Sequence, residues 1–212
     1  MLKLKTYSID RKTDRDLEIP NFLAFLQEKK NTFESFLDVG AHYSANYYAH
    51  AIRQYAKIYH ALDPNPDEAV KLIADTYFTG DFLKVNLEPY DFMLCLSTIE
   101  HVGMYPYIYP DRVTVRDIFF NKLLSLTKKY LWFSFPVGQP YEIAGQMSII
   151  PPVQCERWLD LIKRYKHEVG FFYSNGSQAG YPWESSTKEK CYSHQYVDSV
   201  GNQTICVMEV EK

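Results

Sequence analysis

The stretch FLDVG, residues 36–40, is a short apolar run that ends in an acid and a glycine. A similar run, YHALD at residues 59–63, also ends in an acid, and two further blocks follow, GDF at residues 80–82 and the segment from Tyr90 to Gly103. An open α/β sheet sets polar groups at the carboxyl ends of its strands, where ligands bind. The order of the four blocks therefore predicts a nucleotide-like cofactor at that end of the sheet.

Strands and helices are predicted to alternate along most of the chain. Buried strands are predicted at residues 36–39, 58–62, 77–78, 92–96, 130–135, 169–173 and 205–210. Helices are predicted from Pro20, Ala45, Pro66, Val113 and Pro152. This alternation predicts an α/β fold, a mainly parallel sheet with helices on both faces. The last two strands lack a clear helix between them, so we expect that final pair to be antiparallel.

Length and composition indicate one ordinary globular domain. At 212 residues the chain fits a single domain, 1–212, in which residues 1–35 form an N-terminal capping segment and a helix. Apolar residues make up 46% and charged residues 23%, close to the average for soluble proteins. The four cysteines are widely spaced and include no CxxC pair, so neither a zinc site nor another metal site is expected.

Charge and hydropathy exclude two classes of partner. The net charge of -3 and the absence of a basic stripe argue against nucleic acid as a partner. No apolar run approaches the roughly 20 residues that span a bilayer, and the N-terminal segment lacks the apolar centre of a signal peptide. We therefore expect a cytoplasmic protein with no membrane span. The sequence does not determine its oligomeric state.

The turn at residues 38–44, DVGAHYS, discriminates between nucleotide cofactors. A glycine turn lets backbone N–H groups and the next helix's N-terminus approach a ligand. Of the dinucleotide fingerprint G-x-G-x-x-G only the first glycine, Gly40, is present, and His42 stands in the place of the second. Asp63 would suit ribose hydroxyls in either cofactor class. The turn thus disfavours NAD, whereas the acid does not discriminate.

The chain from Phe33 to Pro140 resembles the class I S-adenosylmethionine-dependent methyltransferases. Asp38-Val39-Gly40 is similar to their first motif, Leu62-Asp63 to the ribose-binding acid, and Gly80-Asp81-Phe82 to the acid on the adenine side. Ile99-Glu100-His101-Val102 resembles a segment after the fourth strand, and Phe135-Pro136-Val137-Gly138 the end of the fifth. One departure is that His42 and Ser44 stand where later glycines of the first motif commonly occur.

The resemblance implies a Rossmann-like, seven-stranded sheet and S-adenosyl-L-methionine as the cofactor. It implies cofactor contacts from Asp38, Gly40, Asp63 and Asp81, and we add His42, Phe82 and Ser97 to the predicted set. Structural roles remain open for two of these acids. Asp63 precedes Pro64 and suits a turn, and Asp81 follows Gly80 and suits a turn or a helix cap.

His101 is the predicted general base, with Glu100 beside it. The cofactor's sulfonium already makes its methyl group electrophilic, so the protein mainly aligns donor and acceptor. A hydroxyl acceptor is a poor nucleophile and gains from a base, and imidazole titrates near neutral pH. Glu100 is predicted to orient a histidine or to contact the cofactor. The alternative is that both residues only cap the following segment.

An aromatic segment after His101 is the predicted acceptor wall. Tyr105, Tyr107 and Tyr109 lie in it, and Trp183 in a late loop is predicted to close the other side. The alternative is that these rings pack their loops against the domain. The favoured function is O-methylation of a small molecule or carbohydrate (glycan) precursor. A non-catalytic cofactor-binding domain of the same fold and a nicotinamide oxidoreductase are the alternatives.

Overall fold

The computed structural model describes residues 14–104, 108–143, 147–174, 183–196 and 203–212. Ten strands are assigned within these ranges: β1 (Ser35–Val39), β2 (Ile58–Asp63), β3 (Thr76–Thr79), β4 (Tyr90–Leu96), β5 (Thr127–Pro136), β6 (Glu142–Ile143), β7 (Met147–Ser148), β8 (Lys166–Ser174), β9 (Glu184–Ser186) and β10 (Gln203–Glu211). Eight of them form one sheet in the order β3-β2-β1-β4-β5-β10-β8-β9, and β6 pairs with β7.

The sheet is parallel from β3 to β5 and antiparallel beyond it. The pairs β3–β2, β2–β1, β1–β4 and β4–β5 are parallel. Strand β10 runs antiparallel to both β5 and β8, which confirms the predicted final pair. The sheet has eight strands rather than seven because Glu184–Ser186, inside a predicted loop, pairs with the free edge of β8.

Six α-helices are assigned in the described ranges: α1 (Arg15–Lys29), α2 (Ala49–Tyr55), α3 (Glu68–Lys71), α4 (Arg112–Leu126), α5 (Pro152–Ile162) and α6 (Lys188–Tyr192). Three predicted helix starts are wrong. Ala45 lies in a 3₁₀ turn, Ser44–Asn46, and α2 begins only at Ala49. A capping acid decides the other two. The carboxylate of Asp14 accepts from the Arg15 N–H, so α1 begins before Pro20, which lies inside it. The carboxylate of Asp67 caps α3, which begins two residues after Pro66.

Two apolar clusters cover the two faces of the sheet, as the prediction of helices on both faces requires. Phe36 and Leu37, neighbours in β1, belong to different clusters, because successive side chains of a strand point to opposite faces. Phe22 of α1 packs edge-on against Phe92 and Trp132 in the first cluster. None of the helices in the described ranges is both long enough and apolar enough to cross a membrane.

Candidate functional site

The carboxyl ends of β1, β2 and β4 border a cavity of about 370 Å³. The order of strands along the sheet reverses between β1 and β4, since chain connections leave these two strands in opposite directions. Open α/β sheets bind ligands at such a switch point. Of the predicted cofactor contacts, six line the cavity: Gly40, His42, Asp63, Asp81, Phe82 and Ser97.

Gly40 forms the tight turn that closes β1. Its φ of +87° lies in the left-handed region, which favours glycine. A Cβ atom at this position would lie 1.9 Å from Oγ1 of Thr98. The N–H groups of Gly40 and Ala41 both donate to the carbonyl of Leu62, at 2.8 and 3.2 Å. The turn is therefore held between the ends of β2 and β4.

His42 and Tyr43 continue this turn along the cavity rim. The His42 backbone has no positive φ, whereas Tyr43 takes the left-handed conformation at +68°. The carboxylate of Asp67 accepts from the Tyr43 N–H at 2.8 Å, and the His42 ring lies 3.8 Å from the Tyr43 ring, centroid to centroid. A glycine would adopt this left-handed conformation at lower cost. Here Tyr43 adopts it, and the carboxylate of Asp67 holds its backbone N–H.

Asp63 both stabilises a turn and lines the cavity, and these are the two alternatives that the sequence leaves open for it. Its Oδ1 accepts from the Asn65 N–H at 2.8 Å, and its Oδ2 from the His42 N–H at 3.3 Å. Burial raises the pKa of this carboxyl, against the hydrogen bonds from the two amides. The carboxylate organises the loop and also faces the cavity.

Asp81 is likewise both a turn residue and a lining residue. Its Oδ1 accepts from the Leu83 N–H at 2.9 Å, and its Oδ2 accepts from the Tyr109 hydroxyl at 2.5 Å. Phe82 packs against Phe119 with ring centroids 4.6 Å apart. The structure therefore places Tyr109, a predicted acceptor residue, beside the predicted adenine-side acid.

Ser97 connects the end of β4 to α1 through a buried polar network. Its N–H donates to the carbonyl and the hydroxyl of Ser134, both at 3.2 Å, and its own hydroxyl donates to Oε1 of Glu18 at 2.5 Å. Glu18 also accepts from the Ser134 hydroxyl and from Nη1 of Arg15. Burial raises the pKa of Glu18 to about 7. Arg15 lines the cavity, and neither it nor Glu18 stands in a motif that predicts a cofactor contact.

Asp38 lies beneath the cavity and is absent from its lining. Its side chain is fully buried, and its Oδ2 accepts from the Tyr59 hydroxyl at 3.3 Å. Burial raises the pKa of this carboxyl to about 7. The Asp38 side chain lies in the core and does not line the cavity, and its contact with a cofactor stays a prediction.

His101 and Glu100 occupy a 3₁₀ turn, Ile99–His101, directly after β4. The His101 ring lines the cavity and is half exposed, and its Nε2 lies 3.9 Å from Oε1 of Glu100. The Glu100 side chain is buried, its Oε2 has no hydrogen-bond partner among the described residues, and burial raises its pKa to about 7. A carboxyl and an imidazole thus lie side by side, outside hydrogen-bond distance.

Arg116 of α4 holds this turn in place. Its Nη2 donates to the Glu100 carbonyl at 2.6 Å and to the Ser148 hydroxyl at 2.7 Å, and its Nε donates to the Val102 carbonyl at 3.1 Å. The two carbonyls flank His101 in the chain. One buried guanidinium therefore fixes the backbone on both sides of the imidazole.

Of the remaining predicted acceptor residues, only Trp183 lies within the described residues. Trp183 is buried in the apolar cluster on the α1 face of the sheet and is not among the lining residues. Its indole thus takes the packing position that was the alternative for this ring. Tyr105 and Tyr107 lie outside the described residues.

Comparison with known proteins identifies the fold. No protein-family model matches the sequence, and no curated protein matches it. The solved structures that match include the YcgJ protein from Bacillus subtilis, with a TM-score of 0.57 at 11% identity, covering 89% of this chain and 96% of that one. A SAM dependent methyltransferase from Archaeoglobus fulgidus matches with a TM-score of 0.52 at 14% identity, covering 94% of this chain and 95% of that one.

A third similar structure is the 1,6-didemethyltoxoflavin-N1-methyltransferase from Burkholderia thailandensis with bound 1,6-didemethyltoxoflavin and S-adenosylhomocysteine. Its TM-score is 0.52 at 12% identity, and the match covers 90% of this chain and 76% of that one. At such identities the likeness establishes the fold. The chain has the fold of class I S-adenosylmethionine-dependent methyltransferases, as the sequence predicts.

Proposed function

We propose that the chain is an S-adenosylmethionine-dependent methyltransferase that methylates a hydroxyl group of a small molecule or carbohydrate precursor. The observation that carries this proposal is the cavity at the β1/β4 switch point. It is lined by the Gly40 turn, Asp63 and Asp81 within a methyltransferase fold.

The lining has the chemistry that this cofactor requires. Asp63 offers carboxylate oxygens to ribose hydroxyls, and Asp81 offers the same to the exocyclic amine of adenine. Phe82 and Phe119 give that end an apolar wall. Gly40 keeps the floor of the cavity free of a side chain. When bound, the cofactor supplies a methyl group made electrophilic by its sulfonium.

His101 is the residue we propose as the general base. Its ring borders the cavity after β4, and its half-exposed side chain remains accessible to an acceptor. An imidazole in this position takes the proton of an acceptor hydroxyl as that oxygen attacks the methyl group. Arg116 fixes the turn that carries it, which keeps the geometry constant.

Calorimetric titration tests the cofactor assignment. We expect S-adenosylmethionine and S-adenosylhomocysteine to bind and NAD to give no heat. Binding of NAD alone would refute the proposal in favour of an oxidoreductase. Cofactor binding without product from a broad panel of hydroxyl and amine acceptors would favour a non-catalytic domain.

An amine acceptor is the second candidate, because one structure of similar fold is an N1-methyltransferase. The variant His101→Gln separates the two candidates. We expect it to lower kcat about 10²- to 10⁴-fold with a hydroxyl acceptor, since a general base contributes about that factor, and to leave cofactor affinity unchanged. An unprotonated amine needs no base before attack, so unchanged turnover with an amine acceptor would favour N-methylation.

A further inference from the structure

Tyr109 contacts the acid that the proposed function assigns to the adenine base. Its hydroxyl lies 2.5 Å from Oδ2 of Asp81, and both residues line the cavity. An aspartate carboxylate only accepts hydrogen bonds, so the Tyr109 hydroxyl is the donor in this pair. The Tyr109 N–H donates to the carbonyl of Gly103 at 3.2 Å, which ties its backbone to the segment after His101. Tyr109 is therefore held both at its hydroxyl and at its backbone.

The turn that carries Asp81 is fixed by Lys122 of α4. The Lys122 ammonium donates to the carbonyls of Phe82, Leu83 and Val85 at 2.7, 3.3 and 2.8 Å. Oδ1 of Asp81 accepts from the Leu83 N–H at 2.9 Å, and the Asp81 side chain is only 10% exposed. An ammonium has three protons, and all three hold this turn. Asp81 therefore has its place in the cavity before a ligand arrives.

The pair of Tyr109 and Asp81 offers acceptors to a ligand in the cavity. The one O–H proton of Tyr109 lies in its bond to Asp81, so its oxygen offers lone pairs, as do the carboxylate oxygens. Lys84, whose ammonium lies 3.9 Å from Oδ2 of Asp81, is 69% exposed and does not line the cavity. The 6-amino group of adenine is a donor that fits such a pair. A purine without this group would leave both acceptors without a donor, which costs binding energy.

We infer that Tyr109 binds the base of the cofactor together with Asp81 and makes the site select a purine that carries a 6-amino group. This inference rests on the proposed function, in which Asp81 accepts from the adenine amine. It gives Tyr109 a specificity-determining role toward the cofactor, in place of its predicted role in the acceptor wall. A tyrosine that only shaped the acceptor wall would not discriminate between purine bases.

The test compares two ligands that differ only in the 6-amino group. S-Adenosylhomocysteine and its 6-deamino analogue, which carries hydrogen at that position, are titrated calorimetrically into the full chain, and the ratio of their Kd values is measured. We expect the unmodified protein to prefer S-adenosylhomocysteine about 10- to 100-fold, because the analogue leaves two acceptors without a donor. In Tyr109→Phe, which removes only the hydroxyl, the preference should fall about 3- to 10-fold, the contribution of one net hydrogen bond. The affinity for S-adenosylhomocysteine should fall, while that for the analogue stays the same.

Tyr55→Phe is the matched control. It also removes one tyrosine hydroxyl, which donates to Oε1 of Gln27 outside the cavity, and it should keep the full preference. The same melting temperature in both variants would show that neither hydroxyl is needed for folding.

The possible outcomes separate this inference from the proposed function. Equal losses for both ligands in Tyr109→Phe, no change in either, or no preference in the unmodified protein would overturn this inference alone. Tighter binding of S-adenosylhomocysteine by Tyr109→Phe would also overturn it, since Tyr109 would then compete with the amine for Asp81. Failure of the unmodified protein to bind S-adenosylhomocysteine would overturn the proposed function, and this inference with it.

Discussion

At Gly40, backbone conformation and a neighbouring side chain both exclude a Cβ atom. The φ of +87° costs a non-glycine residue about 1–2 kcal/mol, and overlap with the Thr98 side chain adds about 1–3 kcal/mol. We expect Gly40→Ala to lower the free energy of unfolding by the sum of these effects and to weaken cofactor binding. Urea denaturation and calorimetry measure the two losses.

Gly103→Ala is the matched control for this residue. Gly103 has nearly the same φ, +86°, but a Cβ atom there would come no closer than 3.0 Å to Cγ of the half-buried Arg112 and 3.2 Å to Cγ1 of Val115. Gly103→Ala should therefore lower the free energy of unfolding by the backbone cost and by a much smaller steric overlap than Gly40→Ala. If both variants lose the same stability, the predicted clash with Thr98 is absent.

At the scale of elements, Arg116 joins α4, the turn after β4 and strand β7. Arg116→Met would leave two carbonyls and the Ser148 hydroxyl without their donor. An unsatisfied buried acceptor costs about 1–3 kcal/mol, so we expect a loss of about 2–4 kcal/mol in the free energy of unfolding, after partial relaxation. A fall in kcat should accompany it, because His101 lies between the released carbonyls.

Arg112, one turn earlier on α4, provides the comparison for Arg116. Its guanidinium pairs with Glu142 at the surface at 2.6 Å. Exposed ion pairs contribute about 0–1 kcal/mol, so Arg112→Met should have little effect on stability or kcat. Similar losses in both variants would indicate that helix α4 as a whole, rather than the Arg116 clamp, supports the site.

At the scale of the whole molecule, three buried carboxyl groups control the response to pH. Burial raises the pKa values of Glu18, Asp38 and Glu100 to about 7. In the unfolded chain such groups titrate near about 4. The folded state therefore binds more protons between these two values, and the free energy of unfolding falls as pH rises through this interval. We expect a Tm several degrees higher at about pH 5 than at about pH 8.

Among the described residues, His60 opposes this trend within the same pH interval, and one variant tests the trend. Burial lowers the pKa of His60, so its contribution to stability is lost as pH falls through its unfolded value. Its effect on stability should be smaller than that of Glu18, Asp38 and Glu100 together, because His60 is one half-buried group and they are three buried carboxyl groups. Glu100→Gln removes one of the three titrations and should flatten the pH dependence of Tm. An unchanged slope would show that Glu100 titrates normally.

Local patterns in the sequence determined the order of the elements and much of the cavity lining. Gly40, Asp63, Asp81, Ser97 and His101 each follow a predicted strand, and parallel strands bring their carboxyl ends to one side of the sheet. A strand and the turn after it are encoded within a few residues. The sequence therefore encodes these positions locally, and the resemblance to the methyltransferase motifs relates them to a cofactor.

Tertiary packing alone decided the rest. Glu18 meets Ser97 across 79 residues of chain and Ser134 across 116, and this contact places Arg15 at the cavity. Packing also buries Asp38 beneath the floor, moves Trp183 into the core and adds β9 to the edge of β8. Such contacts leave no periodic trace in the sequence, because each depends on which distant surfaces meet when the chain excludes water from its core.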